Sequence, residues 1–228
     1  MKNIASKGIL SGMFIALGGF VSAIAMTNVG SLGLAKVLAG LAFSAGLIMS
    51  ILANAALYTG SVMKIYAYDG NIFKFLSKVW FWNFIGALAV ICVLITTQGP
   101  VLDTIQTIAT TKCNLTLTDM FNRAIYCNIL VCLAVAFSKK AKSAIDLLVT
   151  VTVPVSVFVI CGFEHSVANM FYLPFAKLAG AGITWVQIVT NLTIVTIGNF
   201  IGGLLVASYE QLLIREGKLW FTQVITQS

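Results

Sequence analysis

Six long apolar stretches dominate this chain, at roughly 8–29, 36–63, 79–98, 119–138, 144–172 and 183–214. Each is long enough to cross the hydrocarbon core of a bilayer as a helix, which takes about 20 mostly apolar residues. Charge is correspondingly scarce. Only 9% of the 228 residues are charged, against 59% hydrophobic, where a soluble domain carries about 25% charge. So few ions cannot hydrate the surface of a soluble enzyme or a nucleic-acid-binding module. The net charge of +7 is spread over short breaks between apolar stretches rather than gathered in one basic patch. The composition therefore predicts an all-α integral membrane protein of six spans, without nucleic-acid binding.

The cations orient the spans. With six crossings both termini face one side. One face then holds Lys2, Lys7, Lys64, Lys74, Lys78, Lys139, Lys140, Lys142, Arg215 and Lys218, and the other holds Lys36, Lys112, Arg123 and Lys177. The positive-inside bias makes the first face cytoplasmic, with both termini there. Lys2 and Lys7 ahead of an apolar run, with Ala23-Ile24-Ala25 behind it, imitate a secretory leader. The similar stretches that follow favour an uncleaved first span.

An internal repeat organises the spans. Asn83-Phe84-Ile85-Gly86 in span three returns as Asn199-Phe200-Ile201-Gly202 in span six, each followed by a residue and then leucine. Spans two and five are the two long ones, and each carries a polar, glycine-containing cluster late in its apolar run. A division into 3+3 follows, with halves at about 7–98 and 119–214 in a single transport domain. Three spans per half is odd, so the second half enters the membrane from the opposite side. Inverted halves with two broken helices mark a solute path near the midplane, because irregular backbone in a bilayer survives only where protein or a cavity covers it.

His165, the only histidine, sits in the break of span five beside Glu164. An ionisable residue within a span marks a functional site, and an imidazole suits hydrogen bonding or proton exchange with a passing weak acid. One histidine and five scattered cysteines do not make a metal site, and no cofactor is expected. Glu164 is expected to brace the loop by accepting backbone or Asn/Ser hydrogen bonds. Asn54, Thr59, Asn169 and Asn199 are polar candidates either for the path or for satisfying broken backbone. Phe43, Leu47 and Phe158 are ordinary apolar span residues on composition alone.

The string Gly162-Phe163-Glu164-His165-Ser166-Val167-Ala168-Asn169-Met170 resembles the signature loop of the formate/nitrite transporter family. Leu57-Tyr58-Thr59-Gly60 resembles the family's Leu-Phe-Thr-Gly turn, and Val195-Thr196-Ile197-Gly198-Asn199-Phe200-Ile201-Gly202-Gly203 its last-span motif. The resemblance covers nearly the whole chain in the same order. It implies a homopentamer in the inner (plasma) membrane, with an aquaporin-like protomer and one pore in each. It also implies passive or proton-coupled transport of a small monovalent weak-acid anion or its neutral acid, formate first. Hydrosulfide, nitrite and short-chain carboxylates are alternatives, as is a structural membrane homologue that no longer transports. An enzyme would need more catalytic groups.

By the same resemblance His165 is the central pore histidine and Thr59 hydrogen-bonds to solute. Phe43, Leu47 and Phe158 form a cytoplasm-side apolar constriction, Leu57 helps form the opposite one, and Asn199 lies close to the histidine. Two departures stand out. Ala56 replaces the acid before the Leu-Phe-Thr turn, and Leu147 occupies the place of a vestibule lysine. Electrostatic assistance to an anion must then come from helix ends, His165 or other lysines.

Overall fold

The computed structural model describes residues 3–96 and 98–215. Lys2, Glu216 and Lys218 lie outside the described residues, so the structure does not place the charges expected there. Within that range the chain is all α-helix and turn: α1 (Ile4–Met26), α2 (Leu32–Leu52), α3 (Tyr58–Ser61, continued by a 3-10 turn Val62–Lys64), α4 (Ile72–Leu94), α5 (Pro100–Cys113), α6 (Leu117–Ser138), α7 (Ala144–Ile160), α8 (Ser166–Leu178) and α9 (Trp185–Arg215). Five of these, α1, α2, α4, α6 and α9, are long and apolar enough to cross a membrane. Many of their large apolar side chains face outward, among them Val93, Val186 and Leu212, as a lipid-bathed surface requires. The protein is a multi-pass membrane protein.

Polar residues set the helix starts. Ser31, Asn71 and Thr116 each accept a hydrogen bond from a first-turn N–H of α2, α4 and α6. Ser143 and Asp146 close a reciprocal capping box on α7. These caps explain why α4 begins at Ile72, before the apolar run starting at residue 79.

Two expected spans are divided. The stretch 36–63 becomes α2 and α3, broken at 53–57. The stretch 144–172 becomes α7 and α8, broken at 161–165. Alone, α7 has 17 residues and rises about 26 Å, short of a hydrocarbon core of about 30 Å. A further helix, α5, was not anticipated, because its threonines, Gln106, Asp103 and Lys112 hide it from a hydropathy window. Its start was legible, since Gly99 (φ 94°) precedes Pro100 at the first helical position.

The walls are tight seams. α1 packs chiefly on α2 and α4, and α6 on α9 and α7. Between α1 and α4, a Cβ on Gly12 would meet the carbonyl of Asn83, and one on Gly86 that of Ile9. Between α6 and α9, a Cβ on Gly198 would meet Ala124, and one on Gly202 the carbonyl of Ile125. Small residues let membrane helices approach backbone to backbone in this way. Lys64, at the end of the 3-10 turn, has Lys7 of α1 and Lys139 after α6 as electrostatic neighbours. These three cations therefore collect at one end of the bundle.

Candidate functional site

The two breaks are built alike. In the first, Asn54 adopts a left-handed conformation (φ 48°), as Gly162 does in the second (φ 67°). The N–H of Ala55 donates to Ser50 O at 2.9 Å, and that of Phe163 to Phe158 O at 2.9 Å. The next amides reach across to the other helix of each seam, Ala56 N to Lys7 O and Glu164 N to Arg123 O. An asparagine then clamps each break. Asn83 Oδ1 accepts from Tyr58 N, and its Nδ2 donates to Gly8 O and Ala56 O, all at 2.8 Å. Asn199 Oδ1 accepts from Ser166 N at 2.8 Å, and its Nδ2 donates to Ala124 O at 2.8 Å and Glu164 O at 2.9 Å. Backbone polar groups freed inside a membrane must find such partners, and one side chain supplies three in each half.

His165 stands at the N-cap of α8. Its Nδ1 accepts from Ala168 N at 3.1 Å, and its Nε2 lies 3.1 Å from Thr59 Oγ1 on α3. An amide N–H is always a donor, so Nδ1 must offer its lone pair. The neutral ring then carries its proton on Nε2 and donates it to Thr59 Oγ1. The threonine O–H is left free to donate in turn. The imidazole stacks on Phe158 (5.9 Å between centroids, 15° between planes) and meets Phe43 at 6.4 Å, while Phe43 and Phe158 contact each other edge-on at 5.5 Å. Leu47 and Leu57 are buried in the same apolar cluster.

The fold thus gathers His165, Thr59, Phe43 and Phe158 in direct contact. Asn199 is close in space, but its side-chain amide is spent on the clamp. Ala56 contributes its carbonyl to Asn83 rather than a charge. Leu147 packs partly buried near the start of α7. It lies 13 residues before the end of that helix, about 20 Å along the axis.

Positive charge beside the loop comes from elsewhere. Lys112 Nζ, at the end of α5, lies 2.7 Å from Glu164 Oε1, and Glu164 is 1% exposed. Glu164 Oε2 accepts from Asn169 Nδ2 at 2.7 Å and from Asn191 Nδ2 at 3.4 Å. Asn191 also donates to Lys112 O, and its Oδ1 accepts from Asn169. The loop carrying His165 is therefore held by a network around a part-buried ion pair. Asn128 adds a further tie, donating to Thr59 O and Asn199 O. The roles of Lys112, Asn128 and Asn191 were not read from the sequence. For Lys112 the missing clue was the Gly99-Pro100 start of α5.

A family model described as "Formate/nitrite transporter" matches residues 1–210. The chain belongs to the formate/nitrite transporter family. Among its relatives in that family, a probable formate transporter of Methanothermobacter thermautotrophicus is 34% identical over 226 residues, covering 85% of this chain and 82% of the relative. The formate channel FocA of Escherichia coli (strain K12) is 33% identical over 229 residues, covering 86% and 80%. A solved structure described as a pentameric formate channel with formate bound superposes with a TM-score of 0.84 at 28% identity, covering 93% of this chain and 96% of that one. A second solved structure, an FNT family ion channel, has the same fold (TM-score 0.84, 21% identity, covering 92% of this chain and 89% of that one).

Proposed function

We propose that this chain is a passive or proton-coupled transmembrane path for a small monovalent weak-acid anion, formate first, working without a cofactor and without catalysing a reaction. The observation that carries this is the His165–Thr59 contact inside an aromatic collar. The imidazole Nε2–H and the free threonine O–H form a donor chain that suits a carboxylate or nitrite oxygen. A bare anion is costly among Phe43, Phe158, Leu47 and Leu57, whereas its neutral acid crosses such rings far more easily. A protonated solute, received on Thr59 and released past the collar, fits both demands. Formate is favoured over the alternatives because the relatives described above are named for it. Hydrosulfide is the second reading, since its neutral form suits the apolar collar equally.

The whole chain acts as one transport domain with inverted halves at about 7–98 and 119–214. The matched breaks and the two asparagine clamps support that division, and α5 falls between the halves. The cluster of Lys7, Lys64 and Lys139 at one end supports cytoplasmic termini. A homopentamer with one path per protomer, aquaporin-like in each, is the assembly proposed, in line with the pentameric formate channel that superposes on this chain.

Proteoliposome flux over formate, nitrite, acetate, lactate and hydrosulfide tests the proposal. The His165–Thr59 hydrogen bond that orients the donor contributes about 0.5–1.5 kcal/mol, so His165→Ala should slow the preferred solute by up to about tenfold. Formate flux should also rise as pH falls and the neutral acid gains. A folded sample conducting no faster than empty liposomes would overturn the assignment.

A further inference from the structure

A groove of about 770 Å³ opens where the N-terminal ends of α1 and α4 meet, well away from His165. Its floor on one side is Ile4 and Ala5, the first turn of α1. Among the described residues no side chain caps that turn, since Asn3 at the N-cap makes no capping bond to it. The other side is one face of α4, with Lys74, Ser77 and Lys78 above Phe81 and Trp82. Both lysines are exposed, and among the described residues neither has an ion-pair partner. The groove thus combines two unneutralised cations, a hydroxyl and the positive end of a 23-residue helix. Directly beneath them lies an aromatic wall.

The vertical order of these groups identifies the occupant. Lys78 is the last charged residue before the long uncharged run of α4, so Lys74, Ser77 and Lys78 stand at headgroup level. Phe81 is seven residues beyond Lys74, about 10 Å deeper, at the boundary where aromatic side chains favour the bilayer. An anionic headgroup above and acyl chain below reproduces that order, and basic pockets between membrane helices take such headgroups. We infer that this groove is a binding site for an anionic phospholipid. A second copy of the chain is a poor alternative occupant, because among the described residues this end of the bundle offers Asp69 as an exposed acid against several lysines. Glu164 and Glu210 are buried. Asp103 and Asp119 open α5 and α6 at the other end, and Asp146 is spent on the α7 capping box.

The test uses the full-length protein, delipidated in detergent and given phosphatidylglycerol or phosphatidylcholine, with bound lipid read by native mass spectrometry and stability by thermal melting. Wild type should retain phosphatidylglycerol in preference and melt at higher temperature with it. Lys74→Gln/Lys78→Gln should lose that retention about tenfold, and Lys36→Gln, a cation on another helix, should not. Ser77→Trp, which fills the groove and keeps both charges, should also lose it, so the outcome does not hang on one variant's folding. Four results would overturn the site: equal retention of the two lipids, unchanged retention in both groove variants, stabilisation by inorganic phosphate equal to that by the lipid, or dissociation of the oligomer in the charge variant.

Discussion

His165 has one ring nitrogen committed to its own helix and the other to Thr59, so its protonation and its position are set by the same two contacts. Its place in the break of the fifth apolar stretch was legible from sequence, because a lone histidine inside an apolar run is conspicuous and its nine-residue context is specific. Glu164 was legible as a brace for the same reason. Its cation was not: Lys112 is 52 positions away, on a helix too polar and too short to be noticed. Leu147 stands near the start of α7, about 20 Å along the axis from the break, so a charge there would be largely screened from His165. Removing one member of a fully buried ion pair costs about 3 kcal/mol or more, and the partial exposure of Lys112 makes about 3 kcal/mol the upper end here. Lys112→Met should therefore lower stability by up to about that amount, and adding Glu164→Gln should recover most of it, as read by thermal melting of the detergent-solubilised protein. Leu147→Lys should leave anion uptake close to wild type.

Elements divide into those announced by composition and those announced by geometry alone. The long apolar helices and the two interruptions follow from run length, glycine and polar placement. The short repeated string in spans three and six was visible too, but its meaning was not. Only the folded chain reveals that Asn83 and Asn199 make the same three hydrogen bonds at equivalent places. Each such bond is worth about 1 kcal/mol net, and orphaned partners inside a membrane add to that. Asn83→Ala and Asn199→Ala should therefore each destabilise by about 3 kcal/mol. Asn199→Ala should in addition reduce flux through displacement of His165, measured in liposomes beside the melting curves. A large stability loss in one variant with none in the other would contradict the equivalence of the two clamps.

At the scale of the whole molecule, scarcity of charge announced the membrane at once, and the pattern of lysines suggested its sidedness. Assembly left no comparable mark, because a lipid-facing side chain and a subunit-facing one are both apolar. The proposed path in each protomer makes a quantitative forecast. Independent sites contribute additively, so pentamers assembled from equal amounts of wild-type and His165→Ala chains should conduct at about half the wild-type rate. A steep collapse in the mixed assemblies would point to a shared axial path. The glycine seams bear on how such a path works. A carrier that alternates its access must rock one half against the other for every solute moved, and that motion needs slack between the helices. Gly12 with Gly86 and Gly198 with Gly202 remove it within each half, α1 against α4 and α6 against α9, since even a methyl group there would strike the opposite helix. Each half is therefore a stiff unit, and a conformational cycle could act only where the halves meet, as at the contact of α2 with α7.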